Sequence, residues 1–194
     1  IDPVRFISNR SSGKMGYALA EAAQARGAEV LLVSGPTALT PPAGVELCPV
    51  TTAEEMRKAV ISRFSWSDTV IMAAAVADFR PTQPAAQKLK KRRSPVTRLE
   101  LSPTGDILRE LGERRTTQVL VGFAAETEDL LAHAREKLQA KGVDLLVAND
   151  VTAAGSGFGS DTNRVFILDR DGRAEELPLL PKREVADRIL DRVL

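Results

Sequence analysis

Short apolar segments alternate with amphipathic segments along most of this 194-residue chain. Apolar residues recur at helical spacing between Ser12 and Arg26, and Gly27 follows as a residue that typically ends helices. The run from Asp68 to Ala75 is apolar almost throughout, which is typical of a strand buried on both faces of a parallel sheet. Such alternation requires right-handed crossovers. It predicts an α/β fold with three layers and a mostly parallel sheet.

Local signals complete this prediction. Thr52 is followed three residues later by Glu55, which is the pattern of a capping box at the start of a helix. Asp171-Gly172 separates two apolar runs and predicts an additional β-hairpin. Further strands and helices are expected at 29–34, 45–50, 106–113, 118–124, 127–141, 143–148 and 182–194. Because no repeat or long linker occurs, residues 1–194 are expected to form a single domain, and the loop-like start predicts that a first strand lies upstream.

Composition excludes several classes of protein. Lys and Arg number 27 against 26 acidic residues, so no global field favours nucleic acid or membrane as a partner. No apolar run approaches the roughly 20 residues of a membrane span. A lone Cys48 and a lone His133 exclude an internal disulfide and a cysteine-based zinc cluster, and no metal-ligating side chain is predicted. The chain opens without a signal peptide, which predicts a cytoplasmic protein.

Ligands of open parallel sheets bind beyond the carboxyl ends of the strands, so the loops there are the candidate binding segments. The segment from Arg5 to Gly16 places three cations, an amide and hydroxyls just before a helix or in its first turn. These groups bind phosphate or carboxylate, although a serine cap among solvated cations would have the same composition. Ala73, Ala74 and Ala75 at a strand end allow a flat ligand to approach the backbone, and Asp78 adds a carboxylate; tight packing beside a turn is the alternative.

Two basic segments admit similar pairs of interpretations. The run from Lys88 to Arg93 is either solvated surface or a lid that closes over a triphosphate. It lacks the aromatic platform expected of a nucleic-acid module. Lys137 and Lys141 lie one helical turn apart and could reach phosphates together, or could simply be exposed. Phe123 at a strand end could stack on a base, although a core position is commoner. The glycines at 155–159 precede a strand, so they are not a dinucleotide fingerprint.

Taken together, these segments resemble phosphopantothenoylcysteine synthetases, particularly the bacterial type that is often half of a bifunctional flavoprotein. Six motifs occur in the family's order across nearly the whole chain. They are Asp-Pro-Val-Arg-Phe-Ile-Ser-Asn from Asp2, Ser-Ser-Gly-Lys-Met-Gly, Ala-Ala-Val-Ala-Asp, Lys-Leu-Lys-Lys, Gly-Phe-Ala-Ala-Glu-Thr and Ala-Asn-Asp-Val. Each motif is weak alone, whereas the ordered set is specific.

The resemblance implies a Rossmann-like homodimer that joins 4'-phosphopantothenate to L-cysteine. It implies CTP as co-substrate with Mg²⁺ on the triphosphate, an acyl-cytidylate intermediate, and FMN only in a fused decarboxylase domain absent from residues 1–194. Asn9 and Lys88 would be catalytic, Lys88 as the lid lysine, and Arg5, Asn9 and Ala75 would contact the substrate or intermediate. The nucleotide-binding residues would be Met72, Ala73, Ala74, Asp78, Lys88, Gly105, Asp106, Ile107, Leu108, Phe123, Lys137 and Lys141.

Some features depart from the family or leave alternatives open. Thr104-Gly105-Asp106 stands where members commonly have Asn-Pro-Asp or Thr-Pro-Asp, and the expected Gly-Gly-Thr turn does not precede Ile1. The residues alone do not decide between CTP and ATP. An NAD(P)-dependent oxidoreductase would use a similar sheet, but a G-x-G-x-x-G motif after a strand is missing. A nucleic-acid-binding module using the run from Lys88 would show strongly salt-dependent affinity.

Overall fold

The computed structural model describes residues 1–90, 98–126, 130–150, 155–157 and 159–193. The α-helices are α1 Lys14–Ala25, α2 Ala53–Arg63, α3 Ile107–Arg114, α4 Leu130–Lys141 and α5 Lys182–Val193, and one 3₁₀ turn spans Phe64–Trp66. The strands are β1 Leu31–Ser34, β2 Glu46–Pro49, β3 Thr69–Met72, β4 Phe79–Pro81, β5 Leu101–Pro103, β6 Val119–Glu126, β7 Leu145–Asp150, β8 Thr162–Asp169 and β9 Ala174–Pro181.

Five strands form the central sheet in the order β3-β6-β7-β8-β9. The neighbours β3, β6 and β7 pair in parallel, whereas β8 pairs antiparallel with both β7 and β9. Four of the five strands therefore point the same way, as predicted for a mostly parallel sheet with an added hairpin. Two smaller pairs lie apart from it in the described part of the chain: β1-β2 is parallel and β4-β5 is antiparallel.

Helices cover both faces of the central sheet and make it the middle of three layers. On one face, Leu19 of α1 and Ile189 of α5 pack with Val147 of β7 in one buried cluster. On the other, Leu111 of α3 and Leu138 of α4 pack with Leu146 of β7 in a second cluster. Adjacent β7 residues thus point into opposite clusters, as the two-residue period of a strand requires. The predicted α/β architecture is confirmed.

Local sequence signals explain the start of helix α2 and the turn between β8 and β9. Thr52 accepts the Glu55 N–H at 3.1 Å, and Glu55 accepts the Thr52 N–H at 3.2 Å, so the predicted capping box is formed. Donation from the Thr51 and Thr52 amides lowers the pKa of Glu55. The turn between β8 and β9 contains Gly172 at φ 80°, a backbone conformation that disfavours residues with a Cβ. The predicted hairpin is confirmed as well.

The edge of the central sheet differs from expectation. Strand β3 ends at Met72, three residues before the predicted end, and the alanines at 73–75 belong to the following loop. Its four residues are half-buried: Ile71 packs against the first cluster and Val70 and Met72 against the second, so the predicted burial on both faces is only partial. The reason is position: among the described residues β3 pairs with β6 alone and forms an edge. The three-residue strands β4 and β5 were not predicted. None of the described helices has the length and apolar character needed to span a membrane.

Helices α3 and α4 approach each other over Gly112. A Cβ placed there would lie 2.4 Å from the Lys141 carbonyl oxygen, a contact that only backbone movement could relieve. We expect Gly112→Ala to lower the free energy of unfolding by about 1–3 kcal/mol, the usual cost of overpacking. Gly16→Ala is the matched control, because a Cβ on this α1 glycine would meet no atom within 4 Å. Urea denaturation should show the stability of the Gly16→Ala variant unchanged or slightly raised. Equal losses of stability in both variants would contradict a steric contact at Gly112.

Candidate functional site

The loop that follows β3 is held in place through its own carbonyl groups. Asn9 donates from Nδ2 to the Val76 carbonyl oxygen at 2.9 Å, across 67 residues of sequence. Thr104 donates from its hydroxyl to the Ala77 carbonyl at 2.7 Å, and from its backbone N–H to the Asp78 carbonyl at 2.9 Å. The predicted segments around Asn9, the alanine loop and Gly105 therefore meet at one place beyond the carboxyl end of β3.

Helix α3 begins at the same place, and its first turn carries a paired charge. The Asp106 carboxylate caps the helix by accepting the Arg109 N–H at 3.1 Å. Its other oxygen accepts from the ammonium of Lys141, at the end of α4. Lys137 lies one turn earlier on α4. The structure thus brings the predicted Asp106 and Lys141 together and places a cation beside a helix N-terminus, where anions are favoured.

The side chains of Ile107 and Leu108 point into the second cluster beneath this site. Ile107 is 4% exposed, and Leu108 packs partly buried beside it. Leu108 reaches Gly122 of β6, where an added Cβ would lie 2.7 Å from Leu108 Cδ2. A role in nucleotide binding would therefore involve the backbone of these two residues.

Phe123 and Ala73 lie on the other face of the sheet. Met72 is opposite Gly122 in the parallel register of β3 and β6, so Phe123 and Ala73 each follow that pair by one residue. Both are partly buried against the first cluster. Phe123 is consequently half-buried on β6, near the carboxyl end of the strand. Its position is intermediate between the two that the sequence left open, an exposed stacking position and a core position.

Lys88 and Arg5 are connected through the neighbouring residue Leu89. Arg5 donates from Nη2 to the Leu89 carbonyl at 3.0 Å, while Lys88 is exposed. Asn9 follows Arg5 by four residues, which is at most about 14 Å of extended chain. The segment 5–9 therefore connects the described part of the predicted lid with the loop after β3. Residues 91–93 of the basic run lie outside the described residues.

Lys14, one of the cations that the sequence predicted to bind phosphate or carboxylate, instead contacts the loop that precedes β8. Its ammonium donates to Asp161 Oδ1 at 2.7 Å and to the Gly159 carbonyl at 2.9 Å. Lys182, 7% exposed, donates to the carbonyls of Gly157 (3.0 Å) and Ser160. Burial lowers the pKa of Lys182, and the charge of Lys14 acts in the same direction. These lysines fasten the loop that precedes β8.

A cavity with a volume of about 550 Å³ lies beside these lysines. Leu39, Pro42 and Tyr17 contribute to its walls. It does not include Asn9, Asp78 or Asp106, so the loop contacts and not the cavity define the candidate site. Within the described ranges, no group of three or more His, Cys, Asp or Glu side chains is arranged to hold a metal ion.

Sequence reasoning missed Thr104 and Lys182, which position loops without being motif residues that bind ligands. Thr104 was noted only as a departure before Gly105, and its hydroxyl next to a Gly-Asp pair was the available signal. Lys182 begins a helix directly after Pro181, a context usually found at the surface. Its burial depends on carbonyl groups 22 and 25 residues earlier, and no local pattern indicates that contact.

Comparisons with known proteins identify the family of this chain. Residues 1–194 match the family model described as DNA/pantothenate metabolism flavoprotein C-terminal domain. The coenzyme A biosynthesis bifunctional protein CoaBC of Bacillus subtilis (strain 168) is 55% identical over 194 residues, which are 100% of this chain and 48% of that protein. A cysteine/cysteine sulfinic acid decarboxylase from an unknown prokaryotic organism is 45% identical over 196 residues, covering 100% and 54%. This chain spans about half the length of these relatives.

A solved structure gives the same result for the fold. The crystal structure of the C-terminal domain of a CoaBC protein superposes with a TM-score of 0.84 at 47% identity, covering 100% of this chain and 87% of that one. The chain therefore belongs to the family of DNA/pantothenate metabolism flavoprotein C-terminal domains and has the fold of the CoaBC C-terminal domain.

Proposed function

We propose that this domain is a phosphopantothenoylcysteine synthetase, a ligase that joins 4'-phosphopantothenate to L-cysteine in coenzyme A biosynthesis. The observation that carries the proposal is the convergence at one sheet edge of Asn9, the loop at 73–78 and the paired Asp106 and Lys141. The names of the CoaBC relatives support coenzyme A biosynthesis as the setting. The decarboxylase name belongs to a protein of which this chain covers 54%.

The chemistry requires activation of a carboxylate, since its oxygen is a poor leaving group. In the proposed reaction, a carboxylate oxygen of 4'-phosphopantothenate attacks the α-phosphorus of CTP, and the bond to pyrophosphate breaks. The resulting acyl-cytidylate reacts with the amine of cysteine, which loses a proton, and CMP departs with the electron pair of the cleaved acyl–oxygen bond. Attack of one anion on another needs positive charge at the triphosphate.

The described residues support specific parts in this reaction. Ala74 and Gly105 are exposed and so accessible to a nucleotide, and Lys141 already lies at the start of α3. We assign Lys137 and Lys141 to the phosphates, and Met72, Ala73, Ala74 and the residues at 105–108 to nucleotide contacts through the backbone. Asn9, whose amide lies on the loop beside Ala75, is assigned to the acyl-cytidylate together with Arg5, and Lys88 to closure over the triphosphate.

Mg²⁺ would neutralise charge on the bound triphosphate. It usually keeps several waters and takes only one or two carboxylates from the protein, the remaining ligands being phosphates. Asp78 fits this requirement, because the residue is exposed and its backbone carbonyl is fixed at the rim of the site by the Thr104 N–H, at 2.9 Å. A preformed cluster of carboxylates is unnecessary for such an ion.

The proposal extends to the surroundings of the domain. The length of the CoaBC relatives and their description as bifunctional support a fused decarboxylase domain, which would hold FMN. A cytoplasmic setting would supply CTP and cysteine. We also propose a homodimer, supported by exposed apolar side chains near the site: Phe6 is 79% exposed, Val4 58% and Phe79 55%.

We further propose that an additional strand lies between β1 and β3. Val33 of β1 and Val70 of β3 pack against the same buried cluster, yet among the described residues β1 pairs only with β2 and β3 only with β6. Fusing to Ile1 the segment that precedes the matched region in the Bacillus subtilis relative should raise the melting temperature by several degrees, as expected for about 1 kcal/mol or more in a domain of this size. No change would contradict this strand.

The ligase reaction is tested by incubating the protein with 4'-phosphopantothenate, cysteine, Mg²⁺ and labelled CTP. We expect release of CMP and pyrophosphate, and Lys141→Met should raise the KM for CTP at least about tenfold by removing a phosphate contact. Arg173→Met is the matched control, because it removes a cation from the β8-β9 turn. This turn lies at the opposite end of the sheet, since Asp169 at the end of β8 pairs with Leu145 at the start of β7. The control substitution should leave KM unchanged.

Two results would count against this assignment: no CMP release from the unmodified protein, or equal effects of both substitutions. A thermal-shift panel separates the alternatives, because a specific ligand raises apparent stability. Stabilisation by NAD(P) instead of CTP would favour an oxidoreductase. Stabilisation by ATP instead of CTP would indicate a different nucleotide preference, and salt-sensitive binding of RNA or DNA would favour a nucleic-acid module.

The homodimer is tested by sedimentation velocity. Phe6→Ser should shift the protein toward monomer, because it removes the most exposed large apolar side chain among the described residues. Trp66→Ser is the control, since Trp66 is 48% exposed but precedes β3, at the amino end of the sheet. A monomeric wild-type protein at micromolar concentration would refute the proposal.

A further inference from the structure

The side chain of Asp2 is completely shielded from solvent, although it lies in a loop near the surface. Its Oδ1 accepts the backbone N–H groups of Val4 and Arg5, each at 2.9 Å. Its Oδ2 accepts Arg5 Nε at 3.0 Å, Arg5 Nη2 at 2.5 Å and the Leu89 N–H at 3.1 Å. One carboxylate thus receives five hydrogen bonds, and only an acceptor-only group can satisfy all of them.

The same contacts hold a distant segment. Leu89 donates its N–H to Asp2 and accepts Arg5 Nη2 at its carbonyl, so both of its backbone groups are bound by the turn at 2–5. A third bond runs from the Ala85 N–H to the Ile1 carbonyl at 2.9 Å. Residues 85–89 are therefore fastened to the N-terminal turn by backbone contacts that do not depend on the side chains of those five residues.

We infer that Asp2 is a positioning residue that, through Arg5 and Leu89, fixes Lys88 relative to Asn9. Lys88 immediately precedes the clamped residue, and Asn9 follows Arg5 by four residues while its side chain is fixed on Val76. The group assigned to the acyl-cytidylate and the group assigned to closure over the triphosphate are thus connected through a single carboxylate. This inference rests on the proposed ligase function, since Lys88 has no assigned part without it.

The charge of Asp2 supports this role. The Arg5 guanidinium holds the pKa of the Asp2 carboxyl well below its usual range, against the opposing effect of desolvation, and the backbone donors act in the same direction as Arg5. A lowered pKa means that the carboxylate, and the stabilisation it provides, is present above its ordinary pKa of about 4 and lost only in stronger acid. The clamp is ionised throughout the neutral range.

The substitution Asp2→Asn is the direct test. The amide keeps the size of the carboxyl group but must turn an NH₂ toward either two or three N–H donors, so one side of the clamp is lost. We expect faster hydrogen exchange at the amides of Ala85 and Leu89. We expect kcat to fall about tenfold to a hundredfold, as for a displaced catalytic group, with the KM for CTP changed less than about threefold.

Two further variants control this experiment. Glu175→Gln removes a carboxylate that pairs with Arg192 at 2.9 Å near the β8-β9 turn, and it should change neither exchange at Leu89 nor kcat. Asp2→Glu retains the charge and should restore part of the protection and part of kcat. It also keeps the test informative if Asp2→Asn lowers overall stability, which thermal melting would reveal.

The outcomes are distinguishable. Unchanged exchange at Leu89 in Asp2→Asn would refute the clamp whether or not the protein is a ligase. Faster exchange with unaltered kcat in an active enzyme would refute the positioning role. Absence of CMP release from the wild-type protein would instead refute the proposed function, while the exchange measurement would still decide whether Asp2 holds residues 85–89.

Discussion

The parallel pairing of β6 between β3 and β7 is the constraint on which the candidate site depends. It brings the carboxyl ends of these three strands to the same end of the sheet, with Met72 opposite Gly122 and Ala124 opposite Ala148. Gly122 allows the close approach of α3, because an added Cβ would lie 2.7 Å from Leu108 and 3.0 Å from Leu146. The start of α3, and with it Asp106, can consequently lie beside the loop that follows β3.

The loops at this edge are positioned mainly through backbone carbonyl groups. Asn9, Thr104 and Lys182 each bond to a carbonyl far away in sequence, at Val76, Ala77 and Gly157 respectively. Such contacts fix the path of the chain and leave the side chains of the loop available for other partners. A site whose ligand contacts are largely made by backbone, as proposed for the nucleotide, requires this kind of support.

How much the sequence predicted depends on the distance along the chain between the interacting groups. The capping box of Thr52 and Glu55 and the turn at Gly172 were predicted, because each involves residues within three or four positions. The pairing of Lys14 with Asp161 spans 147 residues, and that of Asp2 with Leu89 spans 87, so no local pattern indicated either. The early end of β3 was missed because alanines suit both strand and loop, and only pairing with β6 decides between them. The roles of the site residues came from the ordered motifs and stay predictions.

The pairing of Lys141 with Asp106 bears on how such a site could accept a triphosphate. An ion pair whose side chains are 30% and 40% exposed is worth about 0–1 kcal/mol, so exchanging one partner for phosphate costs little. The ammonium has three donors and can contact phosphate oxygens while it still donates to Asp106. Asp106 in turn keeps one oxygen on the Arg109 N–H, which fixes the carboxylate at the helix start. The free protein can therefore hold Lys141 oriented toward the N-terminus of α3 at small energetic cost, and a phosphate bound there would gain from both the lysine and the helix dipole.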